Sequence, residues 1–219
     1  MCGLLGEFGK VNSSKSEFNT LLKLSENRGP DMVGYYNNFD LKPDQVPFLQ
    51  FGFNRLSILD LTEKGNQPIL SKSNRYVVMC NGEITNYLDL KKEMGLKEKD
   101  LRSYSDTEIL SHCLDHYGIR ETIDRINGMY AIAIYDINKH EISLIRDVAG
   151  IKPLYFAQTK SGYIFASQYN QIFKHPWFKA DVKINEESLS DYLRLGYIPA
   201  PCALFEKSWM LQNGSFITI

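Results

Sequence analysis

No Cys-x-x-Cys pair occurs in the 219 residues, and the four cysteines, Cys2, Cys80, Cys113 and Cys202, lie far apart. A disulfide framework is therefore not expected, and the thiols are read as free. No apolar stretch approaches the roughly 20 residues that cross a bilayer. Glu7 and Lys10 break the N-terminal apolar run too early for a secretory signal. An excess of one charge is also missing: 25 Lys and Arg stand against 26 Asp and Glu, a formal net charge of -1. Nothing in that balance points to nucleic acid or to an anionic membrane surface. The phosphate-cradling patterns GxxxxGK(S/T) and GxGxxG are absent, so there is no positive case for a nucleotide site. His112 and His116 are four apart on a predicted helix, a spacing that suits a two-histidine metal site. No third ligand accompanies them, and no metal is expected. The default compartment is the cytoplasm.

What is present is an ordinary globular composition, 43% hydrophobic and 23% charged, in a chain long enough for one sizeable core. GLLGEF reads as a buried strand, and Phe18, Leu21, Leu22 and Leu24 recur on one side of a following helix. Gly29 and Pro30 in RGPD cannot continue that helix. MVGYY and PFLQFGFNRLSIL read as strands separated by a polar Asn/Asp/Pro loop. RYVVMCNGEI is a further strand ending in Asn-Gly, a turn signal. NYLDLKKEMG reads as a helix with Asn86 as N-cap and Gly95 as its stop. In SDTEILSHCLDHYG, Ser105 can cap, Asp106 and Glu108 suit the positive end, and Gly118 ends the helix. MYAIAIYD with EISLIRD, and KPLYFA with YIFAS, read as two strand pairs. The apolar runs are nearly continuous, which predicts strands covered on both faces. Two packed sheets with helices outside satisfy this pattern. From EESLSDYLRLGYIPAPC onward the chain reads as a connecting tail rather than part of the core.

Four features could carry chemistry. Removal of Met1 would leave Cys2 with a thiol and a free α-amine on adjacent carbons. The amine, with a pKa of about 7.7 to 8.0, could accept the thiol proton, of pKa about 8.5. The plainer alternative is a small apolar residue opening a strand, and Cys80, Cys113 and Cys202 read as core residues of that kind. The Asn81 side-chain amide and the Gly82 backbone N–H could donate to an oxygen that becomes negative; alternatively, Asn-Gly is a plain turn. Arg55 stands alone in an apolar run, where its planar fork suits a carboxylate. An internal ion pair or an edge charge would explain it equally. Asp106 could meet an ammonium, or simply stabilise the helix dipole.

In order along the chain, MCGLLGEFG, NRGPD, NRLSILDL, NQP, CNGEITNY, SDTEIL, INGMYAIAIYD and RDVAGIKPLYF resemble the glutaminase domain of class II glutamine amidotransferases. The likeness is nearest to the asparagine synthetase type. It runs from Met1 to about Ser167 and continues weakly through YLRLGYIPAPCALFEKSWML. The resemblance implies an α+β N-terminal-nucleophile fold, a four-layer αββα sandwich of two stacked antiparallel sheets flanked by helices. It implies hydrolysis of L-glutamine to glutamate and ammonia. Cys2 would be the nucleophile, with Asn81 and Gly82 forming the oxyanion hole. Arg55, with the backbone of Ile58 and Leu59, would hold the α-carboxylate, and Glu83 and Asp106 would meet the α-ammonium. Residues 1–180 would form the glutaminase domain, and 181–219 an extension leading into a missing synthetase domain.

Three departures stand out. Thr85 replaces a tyrosine common in NGEIYN, and Gln168 replaces the glutamate of FASE. No SGG-type pyrophosphate loop is present, so no cofactor is expected in this chain; ATP and Mg are expected only on the synthetase domain or subunit that accepts the ammonia. The oligomeric state is left open, a homo-oligomer included. Two other readings stay beside the leading one. One is the glutaminase half of another class II enzyme, forming amino sugars or phosphoribosylamine or amidating sugar carboxylates. The other is a non-catalytic regulatory domain of the same fold. The intact set of Cys2, Arg55, Asn81, Gly82, Glu83 and Asp106 favours an enzyme.

Overall fold

A computed structural model describes residues 1–40, 46–180 and 182–219. The elements in chain order are β1 (Gly3–Gly9), α1 (Lys15–Lys23), β2 (Met32–Asn37), β3 (Phe48–Arg55), β4 (Ile69–Leu70), β5 (Tyr76–Ile84) and α2 (Tyr87–Glu93). They continue with α3 (Asp106–Arg125), β6 (Gly128–Asp136), β7 (Glu141–Arg146), β8 (Tyr155–Gln158) and β9 (Gly162–Ala166). The last are α4 (Tyr169–Phe173), α5 (Pro176–Lys179), α6 (Glu186–Leu195), β10 (Ser208–Met210) and β11 (Phe216–Thr218). The expected polar loop after β2 falls in part on 41–45, outside the described residues.

Two antiparallel sheets result, ordered β10-β8-β9-β1-β3-β2 and β11-β7-β6-β5-β4. Period-two alternation divides the core into three layers. Leu4 and Phe8 of β1 meet Val77 and Met79 of β5 and Ala131, Ala133 and Tyr135 of β6 between the sheets. The opposite face of β5 and β6, with Val78, Cys80, Ile132 and Ile134, packs on Ile109, Leu110, Cys113 and Leu114 of α3. On the outer side of the other sheet, Leu5 and Ile164 receive Phe18, Leu21 and Leu22 of α1 and Ile172 of α4. Each such aliphatic or aromatic side chain removed from water contributes about 1.5–3 kcal/mol. Both faces of the central strands are covered, which accounts for their unbroken apolar sequence. The architecture is the expected αββα sandwich.

Helix α1 starts at a complete capping box: Ser14 accepts from the Glu17 N–H, and Glu17 accepts from the Ser14 N–H at 3.0 Å. Ser105 caps α3 through the Glu108 N–H, and Gly118, at φ 75° and ψ 175°, breaks that helix before it resumes to Arg125. Asn86 does not cap α2. It reaches across instead, donating to the Arg125 carbonyl at 2.9 Å and accepting from the Asn127 N–H at 2.8 Å.

Three further expectations need correction. The strand expected to run through Leu59 ends at Arg55, and residues 56–59 form a loop. Cys202, expected in the core, is exposed, whereas Cys80 and Cys113 are buried. The connecting tail expected over 181–219 adds β10 to the edge of one sheet and β11 to the edge of the other. Leu211 between them enters the central core. The boundary expected between 180 and 181 falls at Asp181, outside the described residues.

Candidate active site

Strand β1 brings Cys2 to one end of the gap between the sheets, on the same face as Leu4 and Phe8. In the facing sheet, Asn81 follows Val77 and Met79 on the inward side of β5 and is 1% exposed. Ser167, just past β9, joins the two: its Oγ accepts from the Leu4 N–H at 3.1 Å and from Asn81 Nδ2 at 3.4 Å. All eight residues picked out from the sequence, Cys2, Arg55, Ile58, Leu59, Asn81, Gly82, Glu83 and Asp106, line a single pocket at this end.

Asn81 and Gly82 do not form a turn. They lie inside β5, paired with Ala131 and Tyr130 of β6. A glycine is required there because a Cβ would lie 2.2 Å from the Met129 carbonyl oxygen. Antiparallel pairing also fixes where its N–H points. Thr85 donates to Asn127 on the β6 side. Alternate residues donate to the other side: Cys80 to Gln67 Oε1 at 2.6 Å and Ile84 to Asp106 Oδ2 at 2.8 Å. Gly82 lies midway between those two, so its N–H is directed into the pocket between Gln67 and Asp106. The Asn81 side chain and the Gly82 N–H thus offer two donors near one thiol.

The Cys2 thiol accepts from the Leu56 N–H at 3.4 Å, and the Cys2 carbonyl accepts from Arg28 Nε at 2.9 Å. Burial pushes this thiol up, against the opposing pull of the Leu56 N–H, the terminal ammonium and Arg55. Cys80 is pushed well up by burial and Cys113 up to about 12; both are buried, whereas Cys2 is only half-buried at the pocket. Met1 stands at the pocket lining, 55% exposed.

Arg55 closes β3 and is 4% exposed. No carboxylate pairs with its guanidinium among the described contacts. Nη1 donates to the Thr62 carbonyl at 2.8 Å and Nη2 to the Asp60 carbonyl. Asp106 is held by the Ile84 N–H and by the Thr107 N–H at 2.9 Å. Burial raises its carboxyl above the usual range, with nearby Glu83 adding to the effect and those N–H groups opposing it. Cations and anions therefore share one cleft, the pattern that a zwitterionic amino acid requires. His112 stands on α3 against Glu108, at 3.4 Å.

Several lining or supporting residues escaped the sequence reading. Gln67 clamps both backbone groups of Cys80, donating back to its carbonyl at 3.2 Å. Lys152 adds a second cation, its loop fixed by the Asp147 carboxylate and by Arg146 Nε donating to the Lys152 carbonyl at 2.8 Å. Gln67 sits in the NQP motif and Lys152 in GIKPLYF, which are the signals that could have found them. Ser167 and Arg28 make contacts across long stretches of chain that no local pattern reveals.

The family described as "Glutamine amidotransferase domain" matches residues 1–219. Asparagine synthetase [glutamine-hydrolyzing] 1 of Bacillus subtilis is 32% identical over all of this chain and 33% of its own length. Asparagine synthetase [glutamine-hydrolyzing] 2 of the same organism is 37% identical over 88% of this chain and 26% of its own length. The chain thus spans about a third or less of these relatives. A glutamine phosphoribosylpyrophosphate amidotransferase structure from B. subtilis, complexed with ADP and GMP, shares the fold. Its TM-score is 0.62 at 19% identity, covering 80% of this chain and 43% of that one. With the two-sheet sandwich and the thiol pocket in place, the chain belongs to the class II glutamine amidotransferase domains, alongside the glutaminase domains of asparagine synthetases.

Proposed function

We propose that this chain hydrolyses L-glutamine to glutamate and ammonia through an N-terminal cysteine thioester. One observation carries the reading: Cys2 from one sheet and the Asn81–Gly82 donors from the other meet in a pocket that also holds Arg55, Glu83 and Asp106. Loss of Met1 frees the Cys2 α-amine, which takes the thiol proton as the sulfur attacks the side-chain carbonyl carbon of glutamine. The carbonyl oxygen becomes an oxyanion that accepts from Asn81 Nδ2 and the Gly82 N–H, worth about 2.7–4 kcal/mol for one such donor. As the C–N bond breaks, the protonated α-amine returns its proton to the leaving nitrogen and ammonia departs. Water, deprotonated by the same amine, then attacks the thioester and releases glutamate with the thiol restored. Arg55, with the backbone of Ile58 and Leu59, receives the α-carboxylate, and Glu83 and Asp106 receive the α-ammonium.

The ammonia passes to an ATP-activated carboxylate, that of aspartate, on a synthetase domain that also carries ATP and Mg, and the reaction runs in the cytoplasm. The length of the relatives supports a further domain, because each is several times longer than the aligned part. Intact mass and glutamate release test the hydrolytic reading. Loss of Met1, with activity that Cys2→Ala abolishes, is expected. Glutamate release equal in both proteins would refute it.

A further inference from the structure

Arg55 is nearly enclosed, yet its seat contains main-chain oxygens rather than a carboxylate. Both oxygens, those of Asp60 and Thr62, belong to one tight turn. The Asp60 carboxylate shapes that turn: Oδ1 accepts from the Thr62 N–H at 2.8 Å and from the Thr62 hydroxyl at 2.7 Å. Its other oxygen accepts from the Tyr104 N–H at 3.0 Å. Tyr104 precedes Ser105, the cap of α3, whose first residue is Asp106. One carboxylate therefore links the seat of the pocket's arginine to the helix start that bears its buried acid. Gly65 walls the far side, where a Cβ would lie 2.4 Å from Arg55 Nη2. Asp60 itself is 6% exposed and not among the residues that line the pocket. Burial works to raise its pKa, but the hydrogen bonds from Thr62 and Tyr104 outweigh it and hold the carboxyl below the usual range.

We infer that Asp60 is a positioning residue for glutamine selection: it aims the Arg55 guanidinium at the α-carboxylate. This rests on the glutaminase reading. A guanidinium has five N–H donors; the turn takes one from each terminal nitrogen, and the second on Nη1 rests on Met32 Sδ at 3.5 Å, a weak acceptor that a substrate carboxylate displaces to engage the fork in a bidentate pair. A turn released from Asp60 lets the planar group rotate, and the substrate then meets a misaligned fork. Ground-state and transition-state binding weaken together, so KM changes rather than kcat.

The test is steady-state glutamate release by the purified chain and its Asp60→Asn variant, which keeps shape but turns one acceptor into a donor. About a tenfold rise in KM with kcat within twofold is expected. 4-Aminobutanamide, which is glutamine without its α-carboxylate, should be hydrolysed with equal kcat/KM by both proteins. In an Arg55→Ala background, adding Asp60→Asn should change nothing. An unchanged KM for glutamine overturns the inference. So does an equal loss on both substrates, or a full penalty added to that of Arg55→Ala, since either marks a merely structural role. If Asp60→Asn does not fold, Thr62→Val removes the exposed hydroxyl that holds the same carboxylate. A raised KM in that variant supports the inference and a wild-type KM overturns it. A wild-type chain that releases no glutamate defeats the glutaminase reading instead. Calorimetric glutamine binding then scores the same variants, and unchanged affinity overturns the role of Asp60.

Discussion

Replacing Gly82 by alanine adds one methyl group where β5 lies closest to β6. The new Cβ would stand 2.2 Å from the Met129 carbonyl oxygen and 2.6 Å from Tyr130 Cα. Both obstacles are backbone, so no side chain can swing aside. Reaching even a 3.0 Å separation requires roughly 0.8 Å of strand movement. Overpacking of this kind costs about 1–3 kcal/mol. In a chain of this size that lowers Tm by about 2–12 °C. The same displacement carries the Gly82 N–H away from the developing oxyanion, and a misplacement near 1 Å costs on the order of 100-fold in rate. Glutamate release should therefore lose about two decades of kcat at a temperature where circular dichroism shows the variant folded. Gly95→Ala supplies the control. Gly95 has φ 66° and nothing within 4 Å of its Cβ position, so alanine there costs about 1–2 kcal/mol of backbone strain but leaves kcat intact. A Gly82→Ala protein with wild-type kcat would refute the strand geometry proposed for the oxyanion site.

Asn81→Ala removes the other donor and should lower kcat by about a hundredfold to a thousandfold with KM nearly constant; a kcat within threefold of wild type would exclude Asn81 from that role. Acidification should raise the KM for glutamine, because protonation removes the negative charge of Asp106. The raised pKa places that rise above the ordinary carboxylate value of about 3.9. A KM profile from pH 4 to 8 checks this, and Asp106→Asn should show a shallower acidic limb than the wild type. An uncleaved peptide ahead of Cys2 turns the amine into an amide with no basicity, so a tagged protein should be inactive until the tag is cut at Cys2. Full activity before cleavage, with the tag confirmed by mass, would dismiss the free-amine mechanism.

The layered fold was legible because hydrophobic periodicity reports which faces are covered, and β5, β6 and β7 are apolar on both. Arg55 was legible because an arginine in an apolar strand is costly without a purpose, whereas Asp106 reads equally as a helix-start charge, and Glu83, Ile58 and Leu59 were legible only through the family resemblance. Asn81–Gly82 misled as a turn because the dipeptide carries the same local signal whether the chain bends or another backbone approaches closely. Only the pairing with β6 distinguishes the two. The C-terminal strands β10 and β11 are three residues each, too short for alternation to register, and they gain their place from sheet edges formed earlier in the chain. Cys202 looked like core beside proline and alanine, but short segments such as IPAPC do not say which side faces water. Asp60, Gln67 and Ser167 act through partners 13 to 163 positions away, and such contacts leave no trace in spacing.

Strand β1 lies in the interior of its sheet, between β3 and β9, and this has a consequence for biogenesis. One flank of the chain's first strand stays unpaired until residues 162–166 exist. At about 5–20 residues per second of synthesis, that leaves the strand half-paired for roughly 8 to 30 s on the ribosome. Met1 and Cys2 precede the paired segment, and Met1 is 55% exposed in the folded chain, so an aminopeptidase can reach it before or after that pairing. Until Met1 is removed, the Cys2 α-nitrogen is held in a peptide bond without basicity, so the finished sheet waits on that one cleavage for its proton acceptor.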